Sequence, residues 1–246
     1  TYDVIQRRGF RADGAHYEVL AFEGGGAVGG LVAEARRSAR VGGNVDHQLL
    51  IGIDRCDLAD AASLAEFLDG TRQALGGVDV LVHNASALAL GPSVADFEAS
   101  LQLDVLAAAR ACAQVIPWMK AAGGGSIILV ASISGLEASP GPDFGYASAK
   151  AALIAYAKKL SIFHGPDRIR ANAIAPGSIE FEGGLWDQVR RQDPPRYEAV
   201  RGTIAWGRMG TPQEVADVAV FLASPRAQWI TGACVPIDGG QHKGMR

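Results

Sequence analysis

The stretch SIILVASISGLEASPGPDFGYASAK, Ser126 to Lys150, decides how the chain is read. It opens on a short apolar run, IILVA, as a strand buried on both faces should. It closes on YASAK, the start of a long helix-like run, YASAKAALIAYAKKLSIF, that reaches Phe163. A loop rich in glycine and proline joins the two. Strand, loop and helix of this kind make half of a β-α-β unit, and open parallel sheets place their ligands at the carboxyl ends of the strands. Tyr146 and Lys150 are four residues apart at the helix start, so both project from one face. An ammonium beside a phenol favours the phenolate. A tyrosine so placed can exchange a proton with an alcohol or ketone oxygen. Ser132, at the end of the strand, can hydrogen-bond the same oxygen and hold it.

The same rhythm continues on both sides. Before this stretch, Asp60 can cap a helix through SLAEFLDGTRQAL, VDVLVHN reads as a buried strand, and a helix is expected from about Asp96 to Lys120, ended by the glycines at 123–125. After it, RIRANAIAPG reads as a strand ending at Pro176-Gly177. Residues 178–206 carry Trp186, Trp206, Pro194, Pro195 and many charges, and read as an excursion with two short helices. Thr211-Pro212-Gln213-Glu214 is a helix start, with threonine at the cap, proline first and glutamate third. That helix is expected to reach about Ala223, and ACVPI is a last strand. Strands alternating with helices predict an α/β fold: a single Rossmann-type, doubly wound parallel sheet with helices on both faces, one domain over residues 1–246.

Composition narrows the function classes. With 246 residues, 48% hydrophobic and 20% charged, the chain can bury a sizeable core. A net charge of −3 with dispersed Arg and Lys argues against a nucleic-acid partner. Cys56, Cys112 and Cys234 are an odd number, far apart and in apolar surroundings, which suits a reduced, cytoplasmic protein. The five histidines have no metal-binding spacing, so no metal site is expected. No apolar run nears the roughly 18 residues of a membrane span. TYDVIQRRGF lacks the pattern of a signal peptide.

From Asp57 onward, several motifs fall in one order: VHNAS, SISG, YASAK, IAPGSI, GRMGTPQEVA and VPIDGG. In these the chain resembles the short-chain dehydrogenases/reductases, in particular members of the 3-oxoacyl-carrier-protein-reductase type. The resemblance implies an oxidoreductase that interconverts a small secondary alcohol and a ketone, with NAD or NADP as cofactor. Tyr146 matches the family's general acid/base, Lys150 the lysine that tunes it and binds the ribose, and Ser132 the substrate-orienting serine, with Ser134 as the alternative. Asn84, Ala85 and Ser86 match the turn beside the cofactor's adenosine half, and Asp57 with Leu58 the adenine-contacting pair. Pro176, Gly177 and Ile179 match the nicotinamide-lining stretch, and 178–206 the substrate lid. Asn84 equally suits a strand-end turn, and Asp57 a helix cap. A homotetramer is implied by analogy, and Ala149, Ala152 and Ala155 on the long helix suit close packing between subunits.

Two features depart from the family. Asp104, in FEASLQLDVLAAA, stands where the family has a catalytic asparagine. Its charge should favour the lysine ammonium and work against a tyrosinate, so reduced or pH-shifted activity is expected. The second departure is EGGGAVGG, Glu23 to Gly30, which lies between an apolar run, YEVLAF, and a helix-like run, LVAEARRSAR. Strand, glycines and helix suggest a phosphate loop. Yet the family's TGxxxGxG fits no register: Gly24 meets Val28, Gly25 meets Leu31 and Gly26 meets Val32 where glycine is required. Between Gly30 and Asp57 there is room for one helix and one strand, HQLLIGI. Asp54 can then end the second strand of the fold, or Asp57 the third. A rebuilt loop, a lost cofactor on a retained fold, and a reading-frame slip upstream of Asp57 all fit this region. A Rossmann-fold binding or regulatory protein without turnover is the alternative function.

Overall fold

Side chains alternate across a strand, so an uninterrupted apolar strand needs cover on both faces. The computed structural model describes residues 56–245 in full. Before them it describes the backbone of three strands, β1 (Asp3–Ala12), β2 (Ala15–Glu23) and β3 (Val32–Glu34). The main sheet has the order β3-β4-β5-β6-β7, with β4 (Val80–His83), β5 (Gly125–Val130), β6 (Ile169–Pro176) and β7 (Cys234–Ile237) all parallel. Among the described strands of this sheet, β3 alone runs antiparallel, along the edge of β4.

Both faces of this sheet are covered. Val80, Val82, Ile128 and Ile174 pack with Ala219, Leu222 and Ala223, which belong to a helix over Pro212–Ala223. Their strand neighbours Leu81, Ile127, Leu129, Ala171 and Ala173 face the other way, into the larger core. That core is closed by α1 (Ala61–Leu75), α3 (Ala107–Ala122) and α4 (Phe144–Phe163), while a short α2 (Val94–Ser100) precedes α3. Asp60 caps α1 by accepting from the Ala62 N–H. Two short helices, α5 (Leu185–Gln192) and α6 (Pro194–Arg201), form the excursion, and the Pro212–Ala223 helix, α7, starts on a capping box between Thr211 and Glu214.

Four expectations are corrected. The helix expected from about Asp96 to Lys120 runs from Val94 to Ala122 and is interrupted by a π-helical segment, Leu101–Leu106. Its wider turn is seen in the Ala107 N–H donating to the Gln102 carbonyl. That run is also long and apolar enough, by length and composition alone, to cross a membrane, although half of its most apolar window is buried in the protein. Ala149, expected on the surface of α4, is fully buried under it; Ala155 is exposed and Ala152 lies between.

The fourth correction concerns the amino-terminal part. Tyr17–Phe22 does not lead the parallel sheet: β2 pairs antiparallel with β1 in a separate two-stranded sheet, down to the Ala12–Ala15 pair. The intervening dipeptide is Asp-Gly, a strong hairpin signal that the apolar pattern of YEVLAF concealed. Val32–Glu34, inside the run expected to be helical, is strand, because an edge of β4 is there to pair with it. Gly24–Gly30, HQLLIGI and Asp54 lie outside the described residues.

One glycine ties this frame to the site. Gly135 ends a short 3₁₀ turn, Ile133–Gly135, and a Cβ there would come 2.7 Å from the backbone of Lys150 and Ala151. The turn after β5 therefore rests directly on the first turns of α4. Replacing Gly135 with alanine should force the two apart and cost about 1–3 kcal/mol, read as a lower urea midpoint. An unchanged midpoint would show that the turn gives way freely.

Candidate active site

The end of β5 and the start of α4 meet where the sheet's carboxyl ends open. Ser132 is extended (φ −163°) and its Oγ accepts from the Ser134 N–H at 3.1 Å. Its own hydroxyl hydrogen is thereby left to donate into the adjoining cleft. Lys150 is almost wholly buried, and its Nζ donates to the Val130 carbonyl at 2.9 Å. The same ammonium lies 5.4 Å from the centroid of the Tyr146 ring. Tyr146, Lys150 and Ser132 thus line one cleft of about 1020 Å³.

Beneath Lys150 is a buried carboxylate. Asp104 Oδ1 lies 2.8 Å from Lys150 Nζ, with side-chain exposures of 0% and 2%. The contact is off the hydrogen-bond direction, so it is a charge contact. The other oxygen, Oδ2, accepts from the Ala87 N–H at 3.0 Å. The π-helical segment sets this geometry, since Asp104 sits within it. The Asp104 carbonyl takes a further bond, 3.1 Å from His83 Nε2. A carbonyl can only accept, so Nε2 carries the proton and His83 is the Nε2–H tautomer. Its Nδ1 is then a buried acceptor without a partner among the described residues.

The remaining expected residues divide into two groups. Asn84, Ser86, Pro176, Gly177 and Ile179 line the same cleft as the catalytic candidates. Asp57, Leu58 and Ala85 do not. Leu58 and Ala85 are buried in the larger core, and Asp57 bonds the Ala59 N–H as a turn residue. The charges of segment 178–206 are mostly paired with each other. Arg190 bridges Glu180 (2.8 Å) and Asp187 (2.7 Å), and Arg191 reaches Asp187 at 2.6 Å. This segment lines the cleft with the apolar Phe181, Leu185 and Trp186 and with one exposed cation, Arg196.

Sequence reading missed several neighbours. His83 stands inside VHNAS yet carries no signal of burial beneath a lysine. Gln241 reaches the cleft from beyond β7, accepting from the Ser178 N–H and donating to its Oγ, and so pins the start of segment 178–206. No local pattern could have placed it.

The residues present fit the nicotinamide half of a dinucleotide. The cleft is at the upper end of the roughly 300–1,000 Å³ of small-molecule sites, so a ring and a substrate have room together. Lys150 has three N–H groups; one is given to the Val130 carbonyl, which leaves donor capacity for a ribose hydroxyl. Lys150, Tyr146, Asn84 and Pro176–Gly177 would hold that half.

His83 also makes the site sensitive to acid. Burial first, and then the Lys150 charge, lower its pKa from 6.5 to about 4. The unfolded chain takes up this proton near 6.5 and the folded chain resists until about 4. The contribution is complete above 6.5 and is lost as pH falls toward 4, by roughly 3 kcal/mol at most. His83→Asn should flatten urea-unfolding stability across this window. A decline as steep as in the parent would place its origin elsewhere.

Comparison with known proteins agrees with this geometry. Residues 30–242 match the family model described as enoyl-(acyl carrier protein) reductase. Isoepoxydon dehydrogenase of Penicillium expansum is 36% identical over 190 residues, covering 77% of this chain and 73% of the relative. A solved oxidoreductase of the short-chain dehydrogenase/reductase family from Burkholderia thailandensis is 38% identical with a TM-score of 0.67, over 76% of this chain and 72% of that one. The structure of 7α-hydroxysteroid dehydrogenase complexed with NADH and 7-oxo glycochenodeoxycholic acid is 30% identical with a TM-score of 0.70, over 78% and 75%. Motif order, sheet topology and these matches converge: the chain belongs to the short-chain dehydrogenase/reductase family of oxidoreductases.

Proposed function

We propose that this oxidoreductase interconverts a secondary alcohol and a ketone, with Tyr146 as general acid/base and a nicotinamide dinucleotide as cofactor. The observation that carries this reading is the meeting of Ser132, Tyr146 and Lys150 in one cleft at the carboxyl ends of β5 and β6. When bound, the dinucleotide supplies or accepts the hydride. Tyr146 gives its phenolic proton to the carbonyl oxygen in reduction and takes it back in oxidation. Lys150 stabilises the phenolate from beside the ring. Ser132 donates to the substrate oxygen and keeps it within reach of Tyr146. The apolar lid wall excludes water from the reacting atoms. NADH-bound 7α-hydroxysteroid dehydrogenase supports NAD or NADP as the cofactor class.

A homotetramer belongs to the same proposal. Phe97, Leu101 and Leu106 on the α2–α3 run and Phe144, Ile162 and Phe163 on α4 leave apolar surface exposed, Phe163 by 77%. A second copy of this chain would cover it, and sedimentation reads the assembly directly.

A second reading is a binding or regulatory protein without turnover. Asp104 favours it, because it occupies the charge that Lys150 would offer Tyr146. Titration with NADH and NADPH, followed by nicotinamide fluorescence, separates the two. Binding of one or both is expected, and binding of neither would favour the second reading. Tyr146→Phe should lower turnover by ~10²–10⁴ while leaving cofactor binding in place. Near-parent turnover in that variant would remove Tyr146 from the mechanism.

A further inference from the structure

A buried ammonium is stable only with compensating charge or strong hydrogen bonds. Lys150 has two groups able to supply a negative charge. Asp104 is an anion whenever it is ionised, and it already lies 2.8 Å from Nζ. Tyr146 becomes one only on losing its proton, and its ring centroid is 5.4 Å away. The two therefore compete for one cation, and the carboxylate holds the nearer place.

Resting on the proposed role of Tyr146, we propose that Asp104 is a positioning residue that anchors Lys150 and withholds part of its charge from Tyr146. Proton transfer in this enzyme is thereby set to a more alkaline pH than an uncharged residue at position 104 would set it. The anchoring half follows from connectivity. Asp104 Oδ2 is held by the Ala87 N–H beyond β4, and Nζ is held by the Val130 carbonyl at the end of β5. The ammonium is thus tied to two strand ends and to the π-helical segment at once. Its height beneath Tyr146 follows from them.

The groups facing the pair are few. His83 approaches from β4, held neutral by burial, and Tyr146 lies one helical turn away on α4. Glu137, Asp143, Arg196 and Lys243 line the same cleft. Of the anions, only Asp104 is in contact with Nζ among the described residues.

Asp104→Asn tests this, because asparagine keeps an oxygen for the Ala87 N–H and removes the charge, turning an amide NH2 toward Nζ in place of the carboxylate oxygen. Tyr146 is read without turnover, as the absorbance of its phenolate in a pH titration, each protein being referenced to its Tyr146→Phe form. In Asp104→Asn the midpoint should move to lower pH by about one unit. Asp104→Glu, which restores the charge, should return it toward the parent. If Asp104→Asn does not fold, Asp104→Ser carries the same comparison. An unmoved or raised midpoint would overturn the proposal. Turnover of secondary alcohols against pH is a separate readout, whose rising limb should shift with the midpoint. A shifted phenolate midpoint without any turnover would sink the alcohol–ketone reading and leave the Asp104 assignment standing. Turnover with an unmoved midpoint would do the reverse.

Discussion

The constraint on which the site depends is the charge of Lys150 in a place where water does not reach. An ammonium taken out of water is costly unless it is paired and hydrogen-bonded. The fold meets this demand from three directions: the Val130 carbonyl at the end of β5, the Asp104 carboxylate from the π-helical segment, and the Tyr146 ring from α4. Each partner comes from a different element, so the pairing also sets the spacing of those elements. The widened turn at Leu101–Leu106 has a role in this, since Asp104 lies within it, its side chain on Lys150 and its carbonyl on His83. His83 stays neutral first because it is buried, and the neighbouring Lys150 charge adds repulsion to that.

The sheet explains why these groups meet at an opening. Val80, Val82, Ile128 and Ile174 bury one face under α7, and Leu81, Ile127 and Leu129 bury the other under α1, α3 and α4. With both faces sealed, the strand ends are the place left for polar chemistry, which is where parallel sheets hold ligands. Segment 178–206 completes the cleft in a way its composition conceals. Glu180, Asp187, Arg190 and Arg191 neutralise one another, so a segment rich in charge presents Phe181, Leu185 and Trp186 to the site.

From Asp60 onward, much of the fold was legible because its signals are local. Caps at Asp60 and Thr211, apolar strands of a few residues and the glycine and proline punctuation each act within one or two turns. The amino-terminal part was not legible in the same way. Tyr17–Phe22 has the apolar character of either a sheet-leading strand or a hairpin arm; the Asp-Gly ahead of it points to the hairpin, and its β1 partner decides. Val32–Glu34 is too short for periodicity to decide, and the open edge of β4 decides it. The glycines of Glu23–Gly30 drew attention by composition, whereas the candidate residues Ser132, Tyr146 and Lys150 meet in a cleft built from later segments of the chain.

The sequence by itself determined the chemistry on offer. Ser132, Tyr146 and Lys150 are identifiable from a strand end and a four-residue spacing, because helix geometry makes such a spacing a shared face. It also determined that an aspartate stands at 104. What only the tertiary structure decided is what that aspartate touches. Contact between Asp104 and Lys150 depends on where a widened helical turn lies against a strand end and a second helix. The same holds for Gln241 at the lid and for the self-pairing of the lid charges. Local periodicity encodes which way a side chain faces. The partner of a buried charge is chosen by the loss of water around it, and that loss exists only once the distant segments have come together.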